Sequence, residues 1–214
     1  MNREEKSNLL RNRIIEVSRD LFIQQGYSAT TMRQILGKTG LTTGSLYNFF
    51  ENKENILKQI AAIYLEDTNT KIKSFLKDYD PILHYILIIY YQLKASDISP
   101  QLTDIWHNAY SLWAIAEMIC RNSAVRNKEF FGRFNKDLTD EDWYARSLAI
   151  NGVLHNIILE QLNKGKVPLL ERLRLVMLIA ATLFNLPPER IEPSIAKAVR
   201  IMDKNKLQFY GISV

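Results

Sequence analysis

The stretch TTMRQILGKTGLTTGSLYNFFENKENIL, residues 30–57, predicts two short helices on either side of a tight turn. Thr31 can cap the first helix, predicted over 32–39, because its hydroxyl can accept a hydrogen bond from a backbone N–H two or three residues later. Gly40 can adopt the left-handed conformation that helix ends commonly need. Thr42 can cap the second helix, predicted over 43–50. The pattern is typical of a helix-turn-helix, which makes the chain a candidate DNA-binding protein.

The second predicted helix has two distinct faces. Leu46 and Phe50 are four residues apart and therefore share one side, which we expect to face the core. The opposite side is small and polar, a shape that suits a DNA groove better than a protein core: Thr43, Gly44, Tyr47 and Asn48. Asn52 is predicted to cap a third helix that carries Lys53 in its first turn.

The string from Gly40 to Glu54 resembles the signature of the tetracycline-repressor-like (TetR) transcriptional regulators. The preceding segment is also similar to that family, in Ile14 to Val17, Leu21 and Phe22, Gly26 and Tyr27, and Thr30 and Thr31, so the resemblance covers roughly residues 9–60. Thr43 departs from a frequent lysine, which removes one phosphate contact. Phe49 departs from the common histidine or tyrosine, so that polar contact is absent.

The resemblance implies that the helix over 43–50 lies in the major groove of DNA. It implies a first group of residues that hold phosphates: Thr42, Thr43, Ser45, Tyr47 and Lys53. It implies a second group near base edges, where Asn48 could pair with adenine: Arg33, Thr43, Gly44 and Asn48. Thr31, at the start of the first helix, completes the expected DNA-binding set.

Charge and composition agree with this interpretation without proving it. The 214 residues carry a formal net charge of +5 and are 47% hydrophobic, so the chain can form a sizeable core. Residues 1–60 hold nine Lys and Arg against six Asp and Glu, so the positive excess is denser where the motif lies. This excess is too modest to indicate nucleic-acid binding by itself.

Other features favour a cytoplasmic protein. Cys120 has no second cysteine with which to form an intrachain disulfide, and the first residues lack the apolar core of a signal peptide. The longest apolar run, over 82–93, is too short for a membrane span and suits a buried helix. We therefore expect no membrane association.

The remainder of the chain is predicted to be helical, which gives an all-α fold of about nine or ten helices. Prolines, glycines and polar clusters predict breaks near 78–81, 96–100, 127–137, 163–165 and 185–188. Between them, helices are expected up to about Leu76, from Pro81 to about Lys94, over 101–126, from the capping box of Thr139 and Asp142 to Leu162, over 168–184 and over 193–204. We expect a helix-turn-helix domain over residues 1–55 and a helical effector-binding and dimerisation domain over 56–214.

Two late helices are candidates for a homodimer contact, because the resemblance implies that two such helices pair with their symmetry mates as a four-helix bundle. Small residues, Ala149 and Gly152, would allow close approach in the first. The expected interface residues are apolar and fall near one stripe of each helix: Trp143, Ile150, Leu154, Ile157, Leu173, Met177 and Phe184. The alternative is that these residues form ordinary intrachain core.

Aromatic side chains crowd the middle helices, and the resemblance implies an effector cavity there. Trp106, Tyr110 and Trp113 fall at i, i+4 and i+7 and are predicted to share one helix face. The expected pocket residues are mostly aromatic with polar tips: Tyr85, Tyr90, Trp106, His107, Tyr110, Trp113 and Glu117. Two alternatives stay open, namely that the stripe is simply core and that Glu117 forms a surface ion pair with Arg121.

No catalytic motif, cofactor motif or metal-ligand spacing is apparent, since His84, His107 and His155 have no ligand-type separation. The sequence therefore predicts a non-enzymatic, homodimeric repressor. It would bind a palindromic double-stranded DNA operator and be released by a small apolar or aromatic effector. The alternatives are a helical interaction protein with a degenerate helix-turn-helix that no longer binds DNA, and a small helical enzyme that uses the aromatic cavity.

Overall fold

A computed structural model describes residues 2–76, 78–162 and 165–205, together with the backbone of 208–209 and 212–213. Its N-terminal part consists of four helices, α1 (Arg3–Gln25), α2 (Met32–Thr39), α3 (Thr43–Phe49) and α4 (Lys53–Phe75). Six helices follow: α5 (Pro81–Ile98), α6 (Pro100–Ser111), α7 (Trp113–Phe131), α8 (Asp140–Leu162), α9 (Leu169–Leu183) and α10 (Ile191–Lys204). The all-α prediction is confirmed.

Short elements complete the described structure. Single 3-10 turns lie at Gly132–Phe134 and Pro188–Arg190. Two strands of two residues each, β1 (Gln208–Phe209) and β2 (Ile212–Ser213), pair antiparallel near the C-terminus. The sequence does not predict this pairing, because four residues are too few to show an alternating pattern.

The helix-turn-helix forms as its capping residues predict. The Thr31 hydroxyl accepts a hydrogen bond from the Gln34 amide at 3.2 Å, and the Thr42 hydroxyl accepts one from the Ser45 amide at 3.3 Å. Gly40 ends α2 with a φ of 67°, in the left-handed region that favours glycine. The Asn52 side chain caps α4 by accepting from the Asn55 amide at 2.9 Å.

The predicted single helix over 101–126 is wrong, because the chain breaks at Leu112. The backbone of Leu112 is extended, with φ of −80° and ψ of 113°, so α6 ends at Ser111 and α7 begins at Trp113. No proline or glycine marks this position, which is why the sequence pattern hid the break. Helix α7 also continues through the predicted connection to Phe131, since Asn127, Phe130 and Phe131 are buried on one of its sides.

Helix α5 forms the centre of the molecule. It packs against α4, α6, α7, α8, α9 and α10, and it is buried along most of its length. The prediction that its apolar run forms a buried helix is confirmed. None of the helices in the described part of the chain has both the length and the hydropathy needed to cross a bilayer.

Helices α8 and α9 lie side by side at the edge of the fold. The capping box at the start of α8 is confirmed: Asp142 donates its amide to the Thr139 hydroxyl at 3.2 Å and accepts from the Thr139 amide at 3.0 Å. Helix α8 packs inward on α6 and α7, and α9 packs on α5 and α8. Asn163 and Lys164, predicted to end α8, lie outside the described residues.

Candidate functional site

The outer face of α3 is exposed and polar. Leu46 is fully buried and Phe50 is 3% exposed, so together they hold the helix against the N-terminal core. The opposite face is open to solvent, with Tyr47 at 49% exposure. The four positions that the spacing assigns to the outer face are all exposed: Thr43, Gly44, Tyr47 and Asn48. The capping residue Thr42 is exposed beside them. This face can therefore enter a groove without unfolding any part of the domain.

The other predicted DNA-binding residues surround this face. Thr31 and Arg33 are exposed at the start of α2. Ser45 is partly buried, and its hydroxyl lies 3.0 Å from the Thr42 hydroxyl that caps α3. The Thr42 and Ser45 hydroxyls are therefore already engaged with each other, and a phosphate contact by either one would compete with this local hydrogen bond.

Lys53 is attached to the fold by its ammonium group. It donates to the carbonyl oxygens of Tyr27 and Thr30, each at 2.6 Å, and lies 4.0 Å from the centroid of the Tyr27 ring. Partial burial lowers the pKa of Lys53, while the nearby charge of Asp104 opposes that decrease. An ammonium has three N–H groups, so one donor remains for a phosphate. Lys53 thus ties α4 to the turn between α1 and α2, a role that the motif did not indicate.

Asp104 on α6 connects the N-terminal helices to the rest of the molecule. Its carboxylate accepts hydrogen bonds from the Ser28 amide at 2.8 Å and from the Ser28 hydroxyl at 2.6 Å. It also accepts from the Asn108 side chain at 3.0 Å. A Cβ added at Gly26, where φ is 90°, would lie 3.0 Å from the Asp104 carboxylate, so the close approach and the backbone conformation both favour glycine.

The predicted aromatic cluster is only partly correct. Tyr85 and Tyr110 line an enclosed cavity bounded by α4, α5, α6, α7 and α8. Trp106 packs instead against Tyr64 of α4, with ring centroids 5.0 Å apart. Tyr90 is buried elsewhere, with the Lys94 ammonium 5.9 Å from its ring.

Trp113 and Glu117 do not belong to a pocket. Because α6 ends before Trp113, that ring does not share a face with Trp106 and Tyr110, and it is 68% exposed. Glu117 forms an ion pair with Arg121 at 2.7 Å on the surface of α7. The alternative of a surface pair is therefore the correct one.

His107 contacts His155 and does not line the cavity. The Nδ1 atom of His107 lies 3.1 Å from the Nε2 atom of His155, which joins α6 to α8. Burial, and then the charge of His107, lower the pKa of His155. The 48 positions between them hid this contact from a search for local spacing. Across the described residues, no group of three or more His, Cys, Asp or Glu side chains is placed to hold a metal ion.

The cavity has polar lining residues that the sequence analysis missed. Its room is about 10 Å³, enough for about one water molecule. The Gln92 amide donates to the Tyr110 hydroxyl at 2.6 Å. The missed polar residues come from three helices: Gln92, Arg126, Asn127 and Asn151. Only their burial reveals them, since isolated polar residues in helices normally face solvent.

The prediction that seven residues of α8 and α9 and the turn after α9 form a dimer interface needs correction. Six of the seven are buried in the core of a single chain, where no partner can reach them: Trp143, Ile150, Leu154, Leu173, Met177 and Phe184. Trp143 stacks on Phe184 with centroids 5.8 Å apart, and Ile150 and Leu154 line the cavity. Ile157 is partly buried. The intrachain-core alternative is correct for these six side chains.

The outer faces of α8 and α9 carry a different set of exposed residues. Leu148 is 45% exposed, Leu175 is 49% exposed and Leu178 is 65% exposed. Ala145, Ala149 and Gly152 are exposed beside Leu148 on α8. We call these six residues the α8–α9 face. Small residues between large apolar ones let another helix approach closely.

A family model described as bacterial regulatory proteins of the tetR family matches residues 14–60. This range includes all of α2 and α3 and the capped start of α4. Over this N-terminal region, the chain is therefore similar to the tetR family.

Known transcriptional regulators match the chain over stretches of similar length. The HTH-type transcriptional repressor KstR2 of Rhodococcus jostii is 35% identical over 57 residues, which are 27% of this chain and 28% of KstR2. The HTH-type transcriptional regulator QacR of Staphylococcus aureus is 39% identical over 54 residues, which are 25% of this chain and 29% of QacR. The match thus spans less than a third of each relative. Both relatives are transcriptional regulators by name.

Solved structures extend the likeness to the whole tetR-family fold. RolR, solved in complex with resorcinol, has a TM-score of 0.64 at 19% identity and covers 92% of this chain and 97% of its own. A TetR-family regulator from Pectobacterium atrosepticum has a TM-score of 0.59 at 18% identity and covers 85% of this chain and 94% of its own. At such identities the likeness shows a shared helical architecture.

Proposed function

We propose that this tetR-family chain is a transcriptional regulator, most simply a repressor, that binds a palindromic operator as a homodimer and is released by a small effector. The exposed polar face of α3 carries the proposal. It presents Tyr47 and Asn48 on a helix that Leu46 and Phe50 fix from behind. A rigid helix with a polar outer side fits the major groove, which admits one α-helix.

In this proposal, phosphate contacts position the protein and base contacts select the sequence. Tyr47 and the third donor of Lys53 would hold the backbone, with Thr42, Thr43 and Ser45 around the capped start of α3. Arg33, Thr43 and Asn48 would reach base edges, and Gly44 would let the backbone approach. Thr31 keeps its capping role at the start of α2 and adds an exposed hydroxyl.

The α8–α9 face supports the homodimer. One helix-turn-helix reads only a half-site, so a twofold pair is needed for a palindrome. Leu148 on α8 and Leu175 and Leu178 on α9 are exposed apolar side chains on neighbouring helices, and covering them with a second copy removes them from water. Helices α8 and α9 are the two helices that the sequence predicts for the dimer contact. The exposed side chains proposed here are not the predicted ones, which face the core of the chain.

The effector response would connect the cavity to α3. We propose the division into residues 1–55 and 56–214, which α4 crosses as a continuous helix from Lys53. Helix α4 supplies Leu65 to the cavity wall, and α6 supplies both Tyr110 to the cavity and Asp104 to the Ser28 contact. A ligand that moves α4 or α6 would shift the two reading helices, which bind half-sites about 34 Å apart or a multiple of that distance.

A gel-shift assay against genomic DNA fragments, at low and moderate salt, tests the proposal. The wild-type chain should retain a subset of fragments at moderate salt. Asn48→Ala should lose discrimination at particular base pairs by roughly 1–3 kcal/mol while it keeps its salt dependence. Equal binding to all fragments, or none, would favour the alternative in which the helix-turn-helix is degenerate and serves as a protein interaction surface.

A further inference from the structure

Arg126 is a partly buried cation on α7 without an acidic partner among the described residues. Its Nε atom is enclosed and has no hydrogen-bond partner among the described residues. Its Nη2 atom lies 3.4 Å from the Ser123 hydroxyl, a long contact to a neutral group. Among the described residues, no Asp or Glu oxygen lies within 4 Å of the guanidinium.

A second buried arginine shows how the same fold neutralises such a charge. Arg172 is 4% exposed, and its Nη2 atom donates to both carboxylate oxygens of Asp97, at 2.7 and 2.6 Å. Its Nε atom donates to the Val167 carbonyl at 3.0 Å. A charge that is partly removed from water without an ionic partner is costly, and the described residues supply no anion to Arg126.

Arg126 stands between the enclosed cavity and the surface. A cleft of about 220 Å³ opens between α4 and α7, and its lining shares Leu65, Ser123 and Arg126 with the cavity. These three side chains therefore separate the cleft from the cavity. A ligand that passes from the cleft into the cavity must pass the guanidinium.

The cavity side of Arg126 offers further polar groups. Burial raises the pKa of Tyr110 to about 12, so its phenol stays neutral and can donate while it accepts from Gln92. The Asn127 side-chain oxygen is buried without a hydrogen-bond partner in the described chain. Most of the remaining wall is apolar, with five aliphatic side chains: Ile88, Ile89, Ile119, Ile150 and Leu154. Such a site has one cationic end, two polar side groups and an apolar body.

We propose that the effector is a small monocarboxylate whose carboxylate binds Arg126 and whose apolar or aromatic body enters the cavity. The planar carboxylate matches the guanidinium and can accept two hydrogen bonds from it. Glu66 and Glu129 line the outer cleft, so their negative charges disfavour ligands with more than one negative charge. Because the cavity holds only about one water molecule, binding must separate the helices around it. This inference rests on the proposed effector response.

Calorimetric titration with benzoate and its neutral isostere benzamide tests the proposal. Wild-type protein should bind benzoate at least about tenfold more tightly than benzamide, because the amide lacks the negative charge and the second acceptor oxygen that pair with the guanidinium. Arg126→Gln should remove this preference. Arg121→Gln, which changes an exposed arginine on the same helix, should keep it. No benzoate binding, or equal binding of benzoate and benzamide, would overturn the proposal.

Melting temperatures measured without ligand test the proposal independently of whether benzoate is a suitable probe. Arg126→Met should raise the melting temperature, since it replaces an unpaired cation with an apolar side chain of similar length. Arg172→Met should lower it, since Asp97 would lose its partner. A lower melting temperature for Arg126→Met would show that Arg126 has a structural partner and would contradict the proposal. Operator binding by ligand-free Arg126→Gln is measured in parallel, so failure of DNA binding and failure of anion recognition are distinguished.

Discussion

At the scale of single residues, Lys53 combines two tasks. The sequence motif predicts it as a phosphate contact, and the structure attaches its ammonium to the carbonyls of Tyr27 and Thr30 at 2.6 Å. These carbonyls belong to the turn that enters α2. The Lys53 side chain therefore positions the helix-turn-helix formed by α2 and α3, and it offers one remaining donor to the DNA backbone.

Lys53→Ala should lower both DNA affinity and stability. Loss of the charged hydrogen bonds should cost roughly 1–3 kcal/mol of unfolding free energy. Loss of one phosphate contact should weaken binding to all sequences and reduce the salt slope by about one. Lys71→Ala, an exposed lysine further along α4, is the control for both urea unfolding and the salt titration. An unchanged salt slope for Lys53→Ala would contradict its placement on the DNA.

His84 gives a pH dependence to stability. It is 1% exposed, and burial, followed by the Arg126 charge, lowers its pKa from 6.5 to about 4. Below pH 6.5 the unfolded chain takes up a proton at His84 that the folded chain does not. Stability contributed by neutral His84 is therefore present above pH 6.5 and is lost as the pH falls toward about 4, by roughly 2 kcal/mol between pH 7 and 5.

His84→Phe isolates this effect. A phenyl ring fits beside Phe130, whose centroid is 4.9 Å from that of His84, and it does not titrate. Urea unfolding at pH 7 and pH 5 should show a smaller loss of stability for the variant than for wild type. Equal losses would mean that other groups cause the acid sensitivity.

The helix caps of the N-terminal region can be predicted from neighbouring residues, whereas contacts between residues far apart in the sequence cannot. The caps Thr31, Thr42 and Asn52 act within three residues of themselves, so their roles can be read from adjacent letters. By contrast, Ser28 and Asp104 are 76 positions apart, and the position of Arg126 beside the cavity depends on four other helices. No local pattern encodes such contacts.

At the scale of helices, two errors have one physical origin. Periodicity identifies an apolar face but does not say which neighbour covers it. On α8 and α9 the largest apolar side chains, such as Trp143 and Met177, complete the chain's own core. The smaller and more isolated ones, such as Ala149 and Leu178, remain outside. The predicted aromatic face over 106–113 also assumed one continuous helix, whereas the extended residue Leu112 separates α6 from α7.

Substitutions on the α8–α9 face should separate the proposed dimer. Leu178→Glu places a charge at the most exposed leucine of that face, and it should shift the chain from dimer to monomer in sedimentation velocity. Leu9→Glu on α1 is a matched control, since Leu9 is a leucine of similar exposure, 61%, and should leave the oligomeric state unchanged. A Leu178→Glu protein that remains fully dimeric would place the interface elsewhere.

At the scale of the whole molecule, the Asp104 contact joins the N-terminal helices to the bundle. Asp104 accepts two hydrogen bonds from Ser28, one from its amide and one from its hydroxyl. Any rearrangement of α6 must therefore move the loop before α2 or break this contact. The fold as a whole was predicted as all-helical, but this connection follows only from the packing of α1 against α6.

A double-mutant cycle of Ser28→Ala and Asp104→Ala tests this connection. Each change should lower the unfolding free energy, and the pair should lower it by less than the sum, with a coupling of at least about 0.5 kcal/mol. Asp104→Ala should also weaken the link between ligand binding and operator release. Strict additivity in urea unfolding would indicate that the two residues do not act together.

Helix α4 is continuous over 23 residues, about 34 Å at 1.5 Å per residue, so it can act as a lever. Leu65, at the cavity wall, lies about 18 Å along the axis from Lys53 at the other end. Pivoting α4 by about 5° at Leu65 would carry the Lys53 end through about 1.5 Å, and two such arms in a twofold pair would double the displacement. A small angular change beside the cavity is thus amplified by leverage into a displacement that hydrogen bonds to DNA do not tolerate.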